Sequence, residues 1–155
     1  MASLHLDDRG ILTTCASCGK TNRVAVDKLS HDARCGHCKA AVAPGATPLE
    51  VSSTDDFDRL ISHASVPVVV DYWAPWCGPC RMVAPELDKV ASRAAGRYLI
   101  VKVNTDQLND LGARFSIRSI PTMAVFSGGR EVARTTGARP AAEIEAFIAG
   151  AGTHA

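Results

Sequence analysis

Residues 66–80 of this chain read VPVVVDYWAPWCGPC. The β-branched run at residues 66–73 predicts a strand that is buried on both faces. From Pro79 onward the apolar residues recur at helical spacing, which predicts a long helix directly beyond the strand. Cys77 and Cys80 therefore lie one helical turn apart, where a small adjustment closes or opens a disulfide between them. The pattern predicts a redox-active dithiol.

The position of Cys77 just before the predicted helix favours its thiolate form. The helix dipole and the unpaired N–H groups of the first turn both stabilise negative charge there. Because a thiolate is the attacking species in thiol–disulfide exchange, we expect Cys77 to be the nucleophile. Cys80 lies one turn inside the helix, is expected to be more buried, and suits the resolving step. The structural alternatives are a stabilising disulfide or half of a metal site.

The sequence around this stretch predicts a mixed α/β unit. Ser53 begins a helix that has acidic residues in its first turn. The other predicted elements are a strand at residues 98–103, a helix at 108–115, a hairpin of strands at 122–126 and 131–135, and a last helix opened by Pro140. A βαβ half followed by a ββα half gives a central mixed sheet with helices on both faces.

Four further cysteines precede this unit, and they form two C-x2-C pairs with sixteen residues between the pairs. They are Cys15, Cys18, Cys35 and Cys38. This spacing predicts a zinc ribbon, in which two tight knuckle turns offer four thiolates in the tetrahedral arrangement that zinc prefers. We expect Gly19 and Gly36 to help form the two turns.

Two disulfides or four free thiols are the alternatives for these cysteines. Disulfides suit small secreted domains, but the first residues have neither the basic region nor the apolar core of a signal peptide, which predicts a cytoplasmic protein. His31 or His37 could replace a cysteine as a ligand. Because four cysteines already complete the zinc shell, we expect both histidines to be solvated.

The chain divides into a predicted ribbon at residues 1–43, a linker at 44–48 and the α/β unit at 49–155. The linker combines small residues with two prolines and a glycine. At roughly 40 residues, the ribbon is too small to fold on apolar burial alone and needs its metal. The larger unit can bury a core of its own, since 46% of the 155 residues are hydrophobic.

Charge and hydropathy exclude two classes of partner. The formal net charge is only +1, and the basic residues of the ribbon are scattered among acids without interleaved aromatics, so we predict no nucleic-acid partner. No apolar run reaches bilayer-spanning length, so we predict no membrane partner. Nothing in the sequence predicts an oligomer, and a monomer is the default.

Residues 50–155 resemble thioredoxin along the whole span. The matching segments are residues 71–80, Pro85, residues 102–106, residues 117–122 and Gly128-Gly129. With the ribbon ahead of it, the chain resembles the bacterial thioredoxin 2 subfamily, the zinc-containing thioredoxins. The resemblance implies the thioredoxin fold, an α/β fold whose central mixed sheet is flanked by helices, preceded here by a small N-terminal zinc ribbon.

The resemblance also supports roles for residues around the dithiol. Asp71 stands in an apolar strand, where burial should raise its pKa and suit it to exchange protons with Cys80. Lys102 is the expected partner of this buried acid. Pro121 is the expected cis-proline, in a loop that faces the dithiol and pairs with an extended substrate. The residues expected to form an apolar docking patch are Trp76, Gly78, Pro79, Ile120 and Gly137.

These features predict a cytosolic protein-disulfide reductase that acts by dithiol–disulfide exchange through Cys77 and Cys80 on disulfide-containing substrate proteins. The resemblance implies that an NADPH-dependent flavoprotein, thioredoxin reductase, returns the electrons. The chain itself has no G-x-G-x-x-G fingerprint, so we expect one zinc ion, structural or redox-sensing, and no bound organic cofactor. An oxidase or isomerase is a second enzymatic hypothesis, although Gly78-Pro79 resembles the reducing members. A redox-switched zinc-binding chaperone or interaction protein is the non-enzymatic alternative.

Overall fold

The computed structural model describes residues 5–7, 10–29, 33–94 and 96–151, so the prediction for His31 falls outside the described residues. The strands are β1 (His5–Asp7), β2 (Gly10–Thr14), β3 (Thr21–Val24), β4 (Ala33–Arg34), β5 (Ala41–Val42), β6 (Leu49–Val51), β7 (Val68–Trp73), β8 (Leu99–Asn104), β9 (Thr122–Ser127) and β10 (Arg130–Thr136). The helices are α1 (Thr54–His63), α2 (Gly78–Ala94), α3 (Asn109–Arg114) and α4 (Ala141–Gly150), with a short 3-10 helix at Val26–Lys28.

The larger unit is built on a five-stranded sheet in the order β10-β9-β7-β8-β6. Strands β6 and β7 both pair parallel to β8, whereas β9 is antiparallel to β7 and β10 is antiparallel to β9. Helices α1 and α3 pack on one face, and α2 and α4 pack on the other. The predicted mixed sheet with helices on both faces is confirmed.

Local sequence explains the two elements that carry the dithiol. Strand β7 is β-branched at its first three positions and is buried on both faces, as a central strand requires. It begins at Val68, two residues later than predicted, after Pro67, which has no N–H to give to a sheet. Helix α2 follows and contains Pro85 inside its length. The turn between β7 and α2 therefore places Cys77 at the start of the helix.

The ribbon contains a three-stranded sheet, β1-β2-β3, and the pair β4-β5. In each knuckle the N–H of the residue after the second cysteine donates to the carbonyl of the first cysteine, at 2.9 Å for Gly19 and 3.0 Å for Lys39. These two residues have positive φ angles of 79° and 67°. Gly36 lies in the second turn, at residues 36–38, but the left-handed position of that knuckle falls on Lys39. The Gly36 N–H instead donates to the side-chain oxygen of Asn22 at 3.0 Å.

The ribbon and the larger unit share one buried apolar cluster. Val26 and Leu29 of the ribbon belong to the same cluster as Leu49 and Phe57, on the face of the sheet that α1 covers. The N–H of Ser65 donates to the carbonyl of Val26 at 3.3 Å. In the connecting segment 44–48, the first two residues are buried. Apolar contact therefore couples the ribbon to the sheet.

Among the described residues, every helix is too short or too polar to cross a bilayer.

Candidate functional site

Cys77 and Cys80 lie at the junction of β7 and α2, where the structure holds them as a disulfide with their Cα atoms 5.3 Å apart. The N–H of Cys77 donates to the carbonyl of Ala74 at 3.1 Å, which closes the turn that follows the strand. The Cα separation is within the ordinary range for a disulfide, so the backbone accommodates the bond. The turn thus supports a pair of sulfurs that can be joined or separated.

Hydrogen bonding, rather than burial, distinguishes the two sulfurs. Cys77 is 4% exposed and Cys80 is 3% exposed, so the expected difference in burial is very small. The N–H of Cys80 donates to Sγ of Cys77 at 3.2 Å, at the N-terminal end of α2. Because this N–H and the helix dipole both stabilise negative charge, they favour the thiolate of Cys77 in the reduced protein.

The loop that ends at β9 lies against the dithiol. The Ile120–Pro121 peptide bond is cis, and the carbonyl oxygen of Ile120 lies 3.7 Å from Sγ of Cys77. The N–H of Gly137, a residue with a φ of 96°, donates to the carbonyl of Pro121 at 2.9 Å. The cis-proline loop therefore lies beside Cys77, and the segment at Gly137 is hydrogen-bonded to that loop.

Trp76 supplies the largest exposed apolar surface beside the disulfide, with 68% of its surface exposed. Its indole N–H donates to the carboxylate of Asp106 at 3.2 Å. Pro79 is exposed as well, and Gly78 and Ile120 are half-buried. No local sequence pattern predicts the hydrogen bond between Trp76 and Asp106, because the two residues are 30 positions apart in the chain.

Asp71 is a buried acid on β7, with 1% of its surface exposed. Neither of its carboxylate oxygens has a hydrogen-bond partner among the described residues. Burial raises the pKa of Asp71 to about 7; the positive charge of Lys102 opposes this shift, and the negative charge of Glu50 adds to it. The Lys102 ammonium lies 4.8 Å from the centroid of the Trp73 ring. Asp71 can therefore bind and release a proton near neutral pH.

We expect the Asp71→Asn variant of the oxidised protein to gain stability over the wild type as pH rises. A folded-state pKa above the ordinary value of 3.8 stabilises the fold at acidic pH, and this contribution is lost as pH rises through about 7. Between about pH 5 and about pH 8, the advantage of the variant should grow by roughly 2–3 kcal/mol. Urea unfolding at both pH values measures it, and an advantage that does not change with pH would contradict the raised pKa.

Glu50 is a second acid on the same face of the sheet, and the sequence analysis did not identify it. In the parallel register Glu50 lies opposite Lys102 on β8, and Lys102 lies opposite Asp71 on β7. Burial raises the pKa of Glu50, whereas Lys102 and the indole of Trp73 oppose the shift. In the sequence, Glu50 alternates with two apolar neighbours, which indicates that it points to the opposite face of the strand from them. Only the strand register shows which residues Glu50 faces.

The four ribbon cysteines form a cluster whose sulfur atoms all lie within 4.8 Å of one another. Two of the distances, Cys15–Cys38 at 3.7 Å and Cys18–Cys35 at 3.6 Å, are far longer than a disulfide bond. Zinc–sulfur bonds of about 2.3 Å in a tetrahedron place the sulfurs about 3.8 Å apart, which matches these distances. The donor set and its geometry fit a metal ion with four thiolate ligands.

The first cysteine of each knuckle is favoured in the thiolate form that a metal requires. The backbone N–H of Cys38, followed by the side-chain amide of Asn22, lowers the pKa of Cys35 to about 5. Backbone N–H groups of the first knuckle likewise lower the pKa of Cys15. His37 is exposed and stands outside the sulfur cluster, with its backbone N–H donating to Sγ of Cys35 at 3.4 Å.

Family models match both parts of the chain. The model described as Thioredoxin matches residues 47–150, and the model described as Thioredoxin 2, N-terminal matches residues 14–40. The first contains the dithiol, the buried acid and the cis-proline, and the second contains all four ribbon cysteines.

Curated relatives and solved structures agree with these models. The chain is 38% identical to Thioredoxin C-3 of Corynebacterium nephridii over 139 residues, which cover 89% of this chain and 93% of that protein. It is 43% identical to the thioredoxin of Haemophilus influenzae over 93 residues, 60% of this chain and 87% of that one. A mutant thioredoxin of Halobacterium salinarum superposes with a TM-score of 0.64 at 25% identity, covering 72% of this chain and 95% of that structure.

A dithiol at a strand–helix junction, on the fold that these proteins share, performs exchange between thiols and disulfides. The chain therefore belongs to the thioredoxin family: it is a thiol–disulfide oxidoreductase, a dithiol–disulfide reductase with the N-terminal four-cysteine ribbon of thioredoxin 2.

Proposed function

We propose that the chain reduces protein disulfides with Cys77 as the nucleophile and Cys80 as the resolving thiol. The thiolate of Cys77 attacks one substrate sulfur, a mixed disulfide forms, and the second substrate sulfur leaves as a thiolate. Cys80 then attacks Sγ of Cys77, so the Cys77–Cys80 bond forms, the mixed disulfide breaks, and two electrons have passed to the substrate. The observation that carries this assignment is the N–H of Cys80 donating to Sγ of Cys77 at 3.2 Å.

We assign Asp71 as the base that takes the proton of the Cys80 thiol before the second attack. Two observations support this role. Asp71 is on the α2 side of the sheet, because its neighbour two positions earlier, Val69, packs against that helix. Its pKa of about 7 matches the working pH of a general base. Lys102, which faces Asp71 from β8, makes the buried carboxylate tolerable in its ionised form.

The substrate chain is proposed to bind in extended form beside the cis-proline. The carbonyl of Ile120 lies close to Sγ of Cys77, so a backbone that follows this loop would bring its own disulfide within reach of the nucleophile. The exposed face of Trp76, together with Gly78, Pro79 and the exposed Gly137, provides apolar contact for the substrate. Backbone pairing of this kind accepts many sequences, as suits a reductase of many proteins.

For the ribbon we propose a single structural zinc ion held by Cys15, Cys18, Cys35 and Cys38. Zinc, when bound, supplies a tetrahedral crosslink between the two knuckles. Four protein ligands leave no open coordination position, and this favours a structural rather than a catalytic site. Since the cluster needs reduced thiols, we place the protein in a reducing compartment such as the cytoplasm.

The proposed electron donor is thioredoxin reductase, the NADPH-dependent flavoprotein. In an assay with this reductase, NADPH and a disulfide-containing protein substrate, we expect one NADPH to be consumed for each substrate disulfide, since both couples transfer two electrons. The control omits the chain and should consume no NADPH above background. If the oxidised chain instead gives its disulfide to reduced substrate proteins faster than it is itself reduced, the reductase role fails and an oxidase or isomerase is favoured.

A second candidate function, a redox-switched interaction protein, is favoured by one observation. Cys38 is exposed, whereas Cys15 and Cys35 are buried, so an oxidant can reach one ligand sulfur from solvent. Loss of the metal by this route would expose apolar surface of the ribbon. Release of zinc by mild peroxide, with recovery on reduction, tests it.

A further inference from the structure

Three ionisable side chains cross the sheet in one row on the face that α2 covers. Glu50 is on the edge strand β6, Lys102 is next to it on β8, and Asp71 is on the central strand β7. Register partners on adjacent strands point to the same face, about 5 Å apart along the hydrogen-bonding direction. The row therefore runs from the half-buried edge of the sheet to the buried acid on β7, the strand that precedes the dithiol.

Lys102 stands between the two acids and does not neutralise Asp71 by direct contact. Its ammonium lies over the Trp73 ring, and both oxygens of Asp71 lack a hydrogen-bond partner in the described part of the chain. One positive charge is therefore shared between two carboxylates, neither of which holds it alone. A negative charge on Glu50 attracts the same Lys102 ammonium and also repels a negative charge on Asp71.

We propose that Glu50 is a positioning residue for the proton on Asp71, acting through the shared Lys102 to favour the protonated form of the buried acid. The inference rests on the proposed role of Asp71 as the base for Cys80. A stronger base takes the thiol proton more readily, so Glu50 would tune the resolving step from about 10 Å away, two strand spacings across the sheet.

Two charged side chains in this row, Lys102 and Glu50, act on Asp71. Burial is the largest cause of the raised pKa of Asp71; the positive charge of Lys102 opposes the shift, and the negative charge of Glu50 adds to it. The side chains that α2 and α4 bury are apolar apart from Cys80, which does not titrate while it is in the disulfide. Strand β1, which spans His5–Asp7, contacts β6.

The test is an NMR titration of the Asp71 carboxyl in the oxidised full-length protein, with the signal assigned by its loss in Asp71→Asn. We expect Glu50→Gln, which keeps the shape and removes the charge, to lower the midpoint by roughly half a pH unit to one pH unit. Glu50→Asp, which keeps the charge, should retain most of the wild-type midpoint, and Lys102→Met should raise it. His5→Gln and Asp7→Asn serve as controls for β1.

A midpoint that is unchanged or raised in Glu50→Gln would overturn the proposal. A purely structural role for Glu50 would change the free energy of unfolding without moving this midpoint, so urea unfolding of each variant separates the two. The role of Asp71 is tested independently by the pH dependence of the resolving step. If the NMR midpoint moves while that pH profile does not, the proposed role of Asp71 fails and the coupling to Glu50 stands.

Discussion

Cys77→Ser should reduce a protein disulfide no faster than the uncatalysed background, a loss of more than about a thousandfold. The hydroxyl of serine is not ionised near neutral pH, so the N–H of Cys80 and the α2 dipole have no anion to stabilise. Cys80→Ser should behave differently, because Cys77 can still attack but nothing displaces the substrate. This second variant should accumulate a mixed disulfide through Cys77.

Intact-protein mass spectrometry after reaction with a disulfide-containing substrate measures both outcomes, with peptide mapping to locate the adduct. Met82→Leu is a matched control, since Met82 is exposed on the same helix and carries no thiol. Adduct formation in Cys77→Ser and not in Cys80→Ser would reverse the assigned roles. Adduct in neither variant would remove the pair from the chemistry.

Removal of the metal should unfold the ribbon and weaken the larger unit. Structural zinc contributes on the order of 10 kcal/mol to folding in small zinc domains, and this ribbon is too small to replace it with apolar burial. Because Val26 and Leu29 share a buried cluster with Phe57, loss of the ribbon also exposes apolar surface of the α1 face. We expect a chelator, or Cys35→Ser, to abolish amide protection throughout the ribbon and to lower the urea midpoint of the rest by several tenths molar or more.

Elemental analysis supplies the matching measurement, with about one zinc expected per wild-type chain. Ser17→Ala, a change at an exposed position of the same ribbon that is not a ligand, should keep both the metal and the protection. Wild-type protein without zinc under reducing, zinc-replete conditions would contradict the metal assignment. Zinc that is lost with mild peroxide and recovered on reduction would support the second candidate function, whereas zinc that survives would contradict it.

Short-range spacing made the dithiol and the metal ligands predictable. Two cysteines separated by two residues are held near each other by the local backbone in any turn or helix start, so both kinds of site could be identified by residue number. The same holds for the central strand, whose β-branched run has few alternatives to burial. Gly36 shows the limit of this reasoning, because glycine only permits a positive φ and the knuckle placed it on Lys39 instead.

Long-range register was not predictable, and the site depends on it at two points. Trp76 is hydrogen-bonded to Asp106, which is 30 residues away. The charge of Glu50 acts on Asp71 only because the order of three parallel strands places Lys102 between them. A one-residue slip of β6 would turn Glu50 to the opposite face, and no local pattern reveals which slip occurs. Apolar alternation specifies which face is buried but not which strand lies next to it.

The sequence by itself determined the reactive groups of this protein: a thiol at a helix start, a second thiol one turn later, and four sulfurs at metal-binding spacing. These depend on bonded geometry over a few residues. The tertiary structure decided the surroundings of these groups. It buried Asp71, shared one lysine between two acids, set Ile120 against the sulfur of Cys77 and joined the ribbon core to the α1 face. Burial and charge interactions act through space, so they exist only once distant segments have packed together.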